Sequence, residues 1–198
     1  PILDIKLPHN SKFIFDSKYY REFDKCGCTN YKTLTFKNGF EYNLDPIQTV
    51  LKPSYTFERK DDMIASPTDE KKKEYVFNIE NKSIKNLDID YSFERERKKF
   101  NGATTKSYIQ YINSVETKYT FIPSRLDAKI KVSKDYKNPS DTNKTIITAL
   151  TLESNYTSKS GDDKFTLKFE RKNNKYLPHS DSSAYHQKYL SLKYTRKF

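Results

Sequence analysis

The chain has no tryptophan, one methionine, two cysteines, four glycines and three histidines. It has no uninterrupted apolar run of about eighteen residues, so no helix able to span a bilayer is expected, and no basic-then-apolar leader opens it. Cys26 and Cys28, in KCGCT, stand one residue apart, too close for a relaxed disulfide. With His9, His179 and His186 remote from them in sequence, the pair completes no tetrahedral zinc site and fixes no redox compartment. Hydrolase elbows, zincin helices and phosphate-cradling glycine loops are missing as well. His179, Asp181 and His186 offer a single carboxylate in a loop, a poor metal set. The expectation is a protein that is not an enzyme, with no catalytic residue, no metal and no cofactor.

Aliphatic bulk is scarce too. Hydrophobic residues make up 34% of the chain and charged residues 32%, while aromatics reach 15% through 16 Tyr and 13 Phe. Aromatic side chains suit a pleated, half-buried surface, which favours strands. The net charge of +11 attracts polyanions, but the signs are interleaved in stretches such as EKKKE (Glu70 to Glu74) and FERERKKF (Phe93 to Phe100). The first residue is Pro rather than Met, as expected of a processed product or a piece of something longer.

What the chain does have is alternation. LDIDYSFER sets Leu87, Ile89, Tyr91 and Phe93 against Asp88, Asp90, Ser92 and Glu94. RLDAKIKVSKDY sets Leu126, Ala128, Ile130 and Val132 against Asp127, Lys129, Lys131 and Ser133. TIITALTLESNY puts Ile146, Leu150, Leu152 and Tyr156 in phase, and KFTLKFER puts Phe165, Leu167 and Phe169 in phase opposite Lys168. In YLSLKYTRKF, Leu190, Leu192, Tyr194 and Phe198 oppose Ser191, Lys193 and Thr195. YKTLTF and FEYNL flank KNG as a hairpin would, Lys60 to Lys73 reads as a long loop, and SKSGDDK reads as a turn. Residues 1–30 read as an irregular N-terminal segment, with room for one helical turn in IFDSKYYREFDK, and 31–198 as one antiparallel β domain. The fold class is all-β, an antiparallel meander of about 8–10 strands.

Such strands serve two architectures that are inside-out relatives. In a membrane β-barrel the apolar face meets lipid and the charged face lines the lumen. Leu87, Ile89, Tyr91, Ile130, Val132, Leu150, Leu152 and Leu167 are then the lipid-facing candidates. Asp88, Asp90, Glu94, Lys129, Lys131, Lys168 and Lys193 are the lumen-facing ones. Tyr91, Phe93, Tyr119, Phe121, Tyr136, Tyr156 and Tyr194 supply an interfacial girdle. In a soluble secreted or periplasmic β-sandwich or small barrel, the apolar faces meet inside and the cations recruit an anionic ligand or a protein partner. Aromatics and cations fall on opposite faces, which is wrong for stacking bases, so nucleic acid is not the expected partner.

The closing YLSLKYTRKF resembles the C-terminal strand of bacterial outer-membrane barrels, which alternates apolar residues and ends on an aromatic read by the barrel-assembly machinery. The resemblance makes Phe198 the terminal aromatic and Leu190, Leu192 and Tyr194 its alternating partners; Arg196 stands where that family has an apolar residue. YTFIPSRLDAKIKVSKDY (Tyr119 to Tyr136) resembles segments of the large barrels of lipopolysaccharide assembly or protein export. The resemblance implies a bacterial outer-membrane protein, or the C-terminal part of one, in transport, envelope assembly or anchoring. Its partners are then the bilayer, the assembly machinery and other envelope proteins.

Three features weigh the other way. Spanning takes about nine to eleven residues per strand, and the apolar stripes at 75–79 and 165–169 hold three positions each. Barrels of this kind are commonly rich in Gly with Trp at the interface. Asn113 and Lys134 also fall in the apolar phase of their strands.

Overall fold

The computed structural model describes residues 2–7, 11–23, 30–62, 69–101, 107–139, 144–177 and 185–196. It contains one antiparallel sheet of eleven strands in chain order. They are β1 (Ile2–Leu7), β2 (Ser11–Phe23), β3 (Asn30–Leu44), β4 (Thr49–Asp62), β5 (Asp69–Ile84) and β6 (Leu87–Asn101). The rest are β7 (Tyr108–Ile122), β8 (Leu126–Pro139), β9 (Lys144–Thr157), β10 (Asp163–Leu177) and β11 (Tyr185–Arg196). Each strand pairs only with its neighbours in sequence, and β1 and β11 are the two outer strands of an open sheet. The strand count exceeds the eight to ten expected because the N-terminal region is strand as well.

Within the N-terminal stretch expected to be irregular, the described residues 2–7 and 11–23 are strand: β1 and β2 pair from Ile2↔Asp16 to Leu7↔Ser11, and β2 pairs with β3 from Lys12↔Glu41 to Phe23↔Asn30. The reason lies in FIF, where Phe13 and Phe15 take one face and Ile14 the other. That period of two overrides the helical turn anticipated there. KNG is not a hairpin either. β3 runs straight through it, because Gly39 has Ser54 and Ile14 beside it on the neighbouring strands, and a Cβ there would meet theirs at 3.8 and 3.9 Å, ordinary contact. The chain reverses instead at Asp45–Ile47, a short 3-10 turn opened by Pro46 and closed by Gln48 at φ 44°. Most of the anticipated loop from Lys60 to Lys73 is also strand, since β4 reaches Asp62 and β5 starts at Asp69.

The connections at one end of the sheet are tight. Asn86 (φ 63°), Ser124 (φ 62°, after Pro123) and Gly161 (φ 82°) adopt the left-handed conformation that short reversals require. The β9–β10 turn is the SKSGDDK stretch, as anticipated. With the Asp45–Ile47 turn counted, the first three of these four turns are each tied to the next hairpin: Lys82 N–H donates to Gln48 O at 3.0 Å, Thr120 N–H to Asn86 O at 2.8 Å, and Thr157 N–H to Arg125 O at 2.7 Å. Cys26, Cys28, His9, His179, Asp181 and Phe198 lie outside the described residues.

Candidate functional site

Cross-strand partners in an antiparallel ladder point to the same side, so the register sorts every side chain onto one of two faces. Leu87, Ile89 and Tyr91 on β6, Ile130 and Val132 on β8, Leu150 and Leu152 on β9 and Leu167 on β10 all share one face, hereafter the apolar face. Asp88, Asp90, Glu94, Lys129, Lys131, Lys168 and Lys193 all share the other, the polar face.

The polar face carries a mesh of ion pairs within and between neighbouring strands. Lys72 lies 2.7 Å from Glu96 and 3.4 Å from Glu74, Lys98 2.5 Å from Glu70, and Lys52 2.6 Å from Glu80. Glu116 takes Lys129 at 2.7 Å and Lys131 at 3.6 Å, and Lys168 reaches Glu170 at 3.3 Å. Neutral side chains extend it: Tyr108 Oη donates to Glu96 at 2.5 Å, Gln110 Nε2 to Asp135 at 2.8 Å and Asn155 Nδ2 to Asp127 at 3.1 Å. Asp88 and Asp90 have no ion pair among the described residues; Asp90 stands between Glu80 and Glu116 in the ladder. Carboxylate oxygens of Glu74, Glu94 and Glu96 come within 4.8 Å of one another, but the Lys72 ammonium already bridges two of them.

The two faces are sheltered unequally. Among the described residues no hydrophobic side chain is buried, and Ile130, Leu190 and Leu192 are 50%, 73% and 73% exposed. Yet the Glu96 and Glu74 side chains are only 13% and 21% exposed. In a single layer, long charged side chains shield one another to that degree only where they converge. The polar face is thus the crowded one.

The apolar face has its own order. Next to the tight turns lies a row of aromatics: Tyr119 and Phe121 with ring centroids 4.8 Å apart, Tyr156 and Phe165 at 6.2 Å, and Phe165 and Tyr194 at 4.8 Å. Ile89, Val115, Ile130, Val132, Leu150 and Leu152 fill the middle. A second aromatic group follows, with Phe36 6.5 Å from both Phe15 and Phe57, Tyr55 4.8 Å from Tyr75 and Tyr111 6.2 Å from Tyr136.

Beyond that group come cations, and their positions follow a rule. Counting along each strand from its tight turn, the first Lys or Arg on this face is Lys32 on β3, Arg59 on β4, Lys73 on β5, Arg95 on β6, Lys134 on β8 and Arg171 on β10; on the last strand, β11, Arg196 stands at the turn end beside Asp163 and Lys188 is the first cation beyond the apolar stretch. Lys32 is opposite Asp61, two residues beyond Arg59; Arg59 is opposite Lys71, two residues from Lys73. Lys73 is opposite Arg97, two from Arg95; the row of Arg95 passes through Tyr111 and Tyr136, two from Lys134. The row of Lys134 passes through Thr148 and Asn173, two from Arg171, which faces Lys188 directly. On β7 the described residues place no cation on this face, and β9 has Lys144 further out. The edge of the apolar belt thus slides by about ten residues over eight strand-to-strand steps; at ~3.3 Å per residue and ~4.8 Å per strand this is an inclination of about 40°.

Asn113 and Lys134, the polar residues in the apolar phase, are cross-strand partners on this border. Asn113 Oδ1 accepts from Tyr91 Oη at 3.2 Å. What the sequence alone misses is the cation line, because it appears only once the register is known. No helix among the described residues is long and apolar enough to cross a membrane, which bears on helices alone. In comparisons with known proteins, no family model, no curated protein and no solved structure matches the chain.

Proposed function

We propose that the chain forms the wall of a bacterial outer-membrane β-barrel, whole or in part, and serves transport, envelope assembly or anchoring without catalysis. The apolar face turns to hydrocarbon and the ionic mesh encloses water, with Asp88, Asp90, Glu94, Lys129, Lys131, Lys168 and Lys193 in the lumen wall.

The observation that carries this reading is the inclined edge of the apolar belt. A flat bilayer boundary drawn across strands that tilt by about 35–45°, as in such barrels, crosses each successive strand about one residue lower than the last. A soluble sheet, whose apolar residues face another layer, is under no pressure to keep a planar charge boundary oblique to its strands. Further support comes from the belt's height. Leu87 to Phe93 below Arg95, and Leu126 to Val132 below Lys134, give four apolar positions each, about 20 Å along the strand and about 15 Å along the normal at this tilt, rather over half of the ~25 Å band of known barrels. Aromatic rows on both borders suit the two interfaces. The converging polar face suits the inside of a curled wall. The short stripes on β5 and β10 belong to strands of 16 and 15 residues whose outer halves lie beyond the boundary.

The test is site-specific. With Cys26 and Cys28 replaced by Ser, an environment-sensitive dye is attached in turn at Ile130→Cys and at Lys131→Cys, and the chain is refolded into neutral phosphatidylcholine vesicles. Emission at 130 is expected to shift to that of a hydrocarbon environment while 131 stays water-like. Water-like emission at both positions, or a monomer that stays soluble in plain buffer, overturns the reading in favour of a soluble secreted β-sheet protein that binds an acidic ligand or a protein partner.

A further inference from the structure

On the apolar face, opposed cations are most concentrated between β5 and β6. Lys73 is the cross-strand partner of Arg97, Lys71 of Lys99, and Arg95 stands opposite Tyr75. Like charges set directly opposite weaken a ladder. Among the described residues none of these five has a carboxylate within 4.0 Å, and all five are exposed. The acidic residues of this face nearby, Asp61 and Asp69, lie at its outer end, and Asp61 is held by Arg59 at 2.7 Å. Lys73, Tyr75, Arg95 and Arg97 line a concavity of about 110 Å³. Its floor meets the top of the apolar belt, where Tyr75 packs on Tyr55 at 4.8 Å, and the Arg95 guanidinium lies 5.8 Å from the Tyr111 ring centroid.

We infer that this cluster binds the phosphate of a phosphomonoester-bearing lipid headgroup whose acyl chains lie down the apolar belt. The inference rests on the membrane reading above. A dianionic phosphate relieves the opposed charges of β5 and β6, and guanidinium and ammonium groups converging from two strands match its oxygens. A lipid rather than a free phosphate fits the position, because the concavity opens on the same face as the belt and at its border. A headgroup there is held by the cations while its tails gain the exposed surface of Tyr75, Phe77 and Phe93; a free anion gains only the charge.

The probe is phosphatidic acid. The chain is refolded into phosphatidylcholine vesicles with and without a minor fraction of phosphatidic acid, exchanged into detergent, and the retained lipid is quantified by mass spectrometry. Wild type is expected to retain phosphatidic acid selectively, and the triple variant Lys73→Gln, Arg95→Gln, Arg97→Gln to lose at least about tenfold of that retention. A control triple on the polar face, Lys164→Gln, Lys172→Gln, Lys193→Gln, keeps it. If the test triple fails to fold, Lys73→Gln alone is expected to show a partial loss. Insertion without selective retention sinks this inference and leaves the membrane reading standing. An equal loss in the control, or displacement by inorganic phosphate as ready as by lipid, overturns it as well; failure to enter neutral vesicles at all overturns both.

Discussion

Leu152 and Thr151 are neighbours in the chain and opposites in the sheet. Leu152 lies between Ile130 and Phe169 on the apolar face, Thr151 between Lys131 and Glu170 on the polar one. An arginine at the two positions therefore separates the possible environments of the wall. Leu152→Arg is expected to destabilise the protein refolded in vesicles by about 2–4 kcal/mol, the cost of a cation on a lipid-facing strand, and Thr151→Arg by under about 1 kcal/mol. Urea titration of both variants measures it. A Leu152→Arg protein as stable as wild type places water on both sides. At this scale much was legible. The assignment of each apolar and charged candidate to one phase or the other needed only a strict alternation, which LDIDYSFER and RLDAKIKVSKDY supply. Partners were not legible: nothing in the sequence says that Glu116 takes two lysines while Asp90 takes none, because that depends on which strand lies alongside and in which register.

Among the strands and turns, the sequence is read correctly where punctuation and period agree and misread where they conflict. SKSGDDK ends β9 on a clear period of two, and Gly161 supplies the positive φ. KNG carries the same kind of punctuation, yet β3 passes through it because Phe36, Asn38 and Phe40 hold the apolar face without a break on either side of Gly39. The residues of β2 are disguised by Lys18, Tyr19 and Tyr20, which blur the alternation. The tight turns are also where local backbone chemistry should tell most. Asn86 sits at φ 63°, and its carbonyl holds Thr120 of the next hairpin at 2.8 Å. Asn86→Val puts a β-branched residue in a left-handed conformation and is expected to cost about 1–2 kcal/mol, with Asn86→Gly close to neutral. The shift in the unfolding midpoint of each variant checks it; equal effects would mean that the φ value is not what the position demands.

Taken whole, the molecule keeps its charges where they do different work. Nearly all described carboxylates lie on the polar face, many of them paired with lysines, while the cations of the apolar face follow a sloping border with few acids beside it. On the proposed membrane reading, the net charge of +11 meets the outside chiefly through that border. Adsorption to anionic vesicles before insertion should weaken severalfold as salt is raised from low ionic strength past physiological, since exposed charges are screened over ~8–10 Å. The stability of the inserted protein should change little over the same range, because the paired charges of the inner mesh are partly shielded. Flotation at several salt concentrations, followed by urea titration of the inserted fraction, separates the two responses.

One consequence follows from the strand order alone. Each strand reverses the direction of the one before, so the first and the last of eleven run the same way. Zipping β1 to β11 directly would make the single parallel seam in an otherwise alternating wall, whereas bacterial single-chain barrels keep an even tally. A ring built on this sheet that keeps the even tally takes one, three or another uneven number of further strands between β1 and β11.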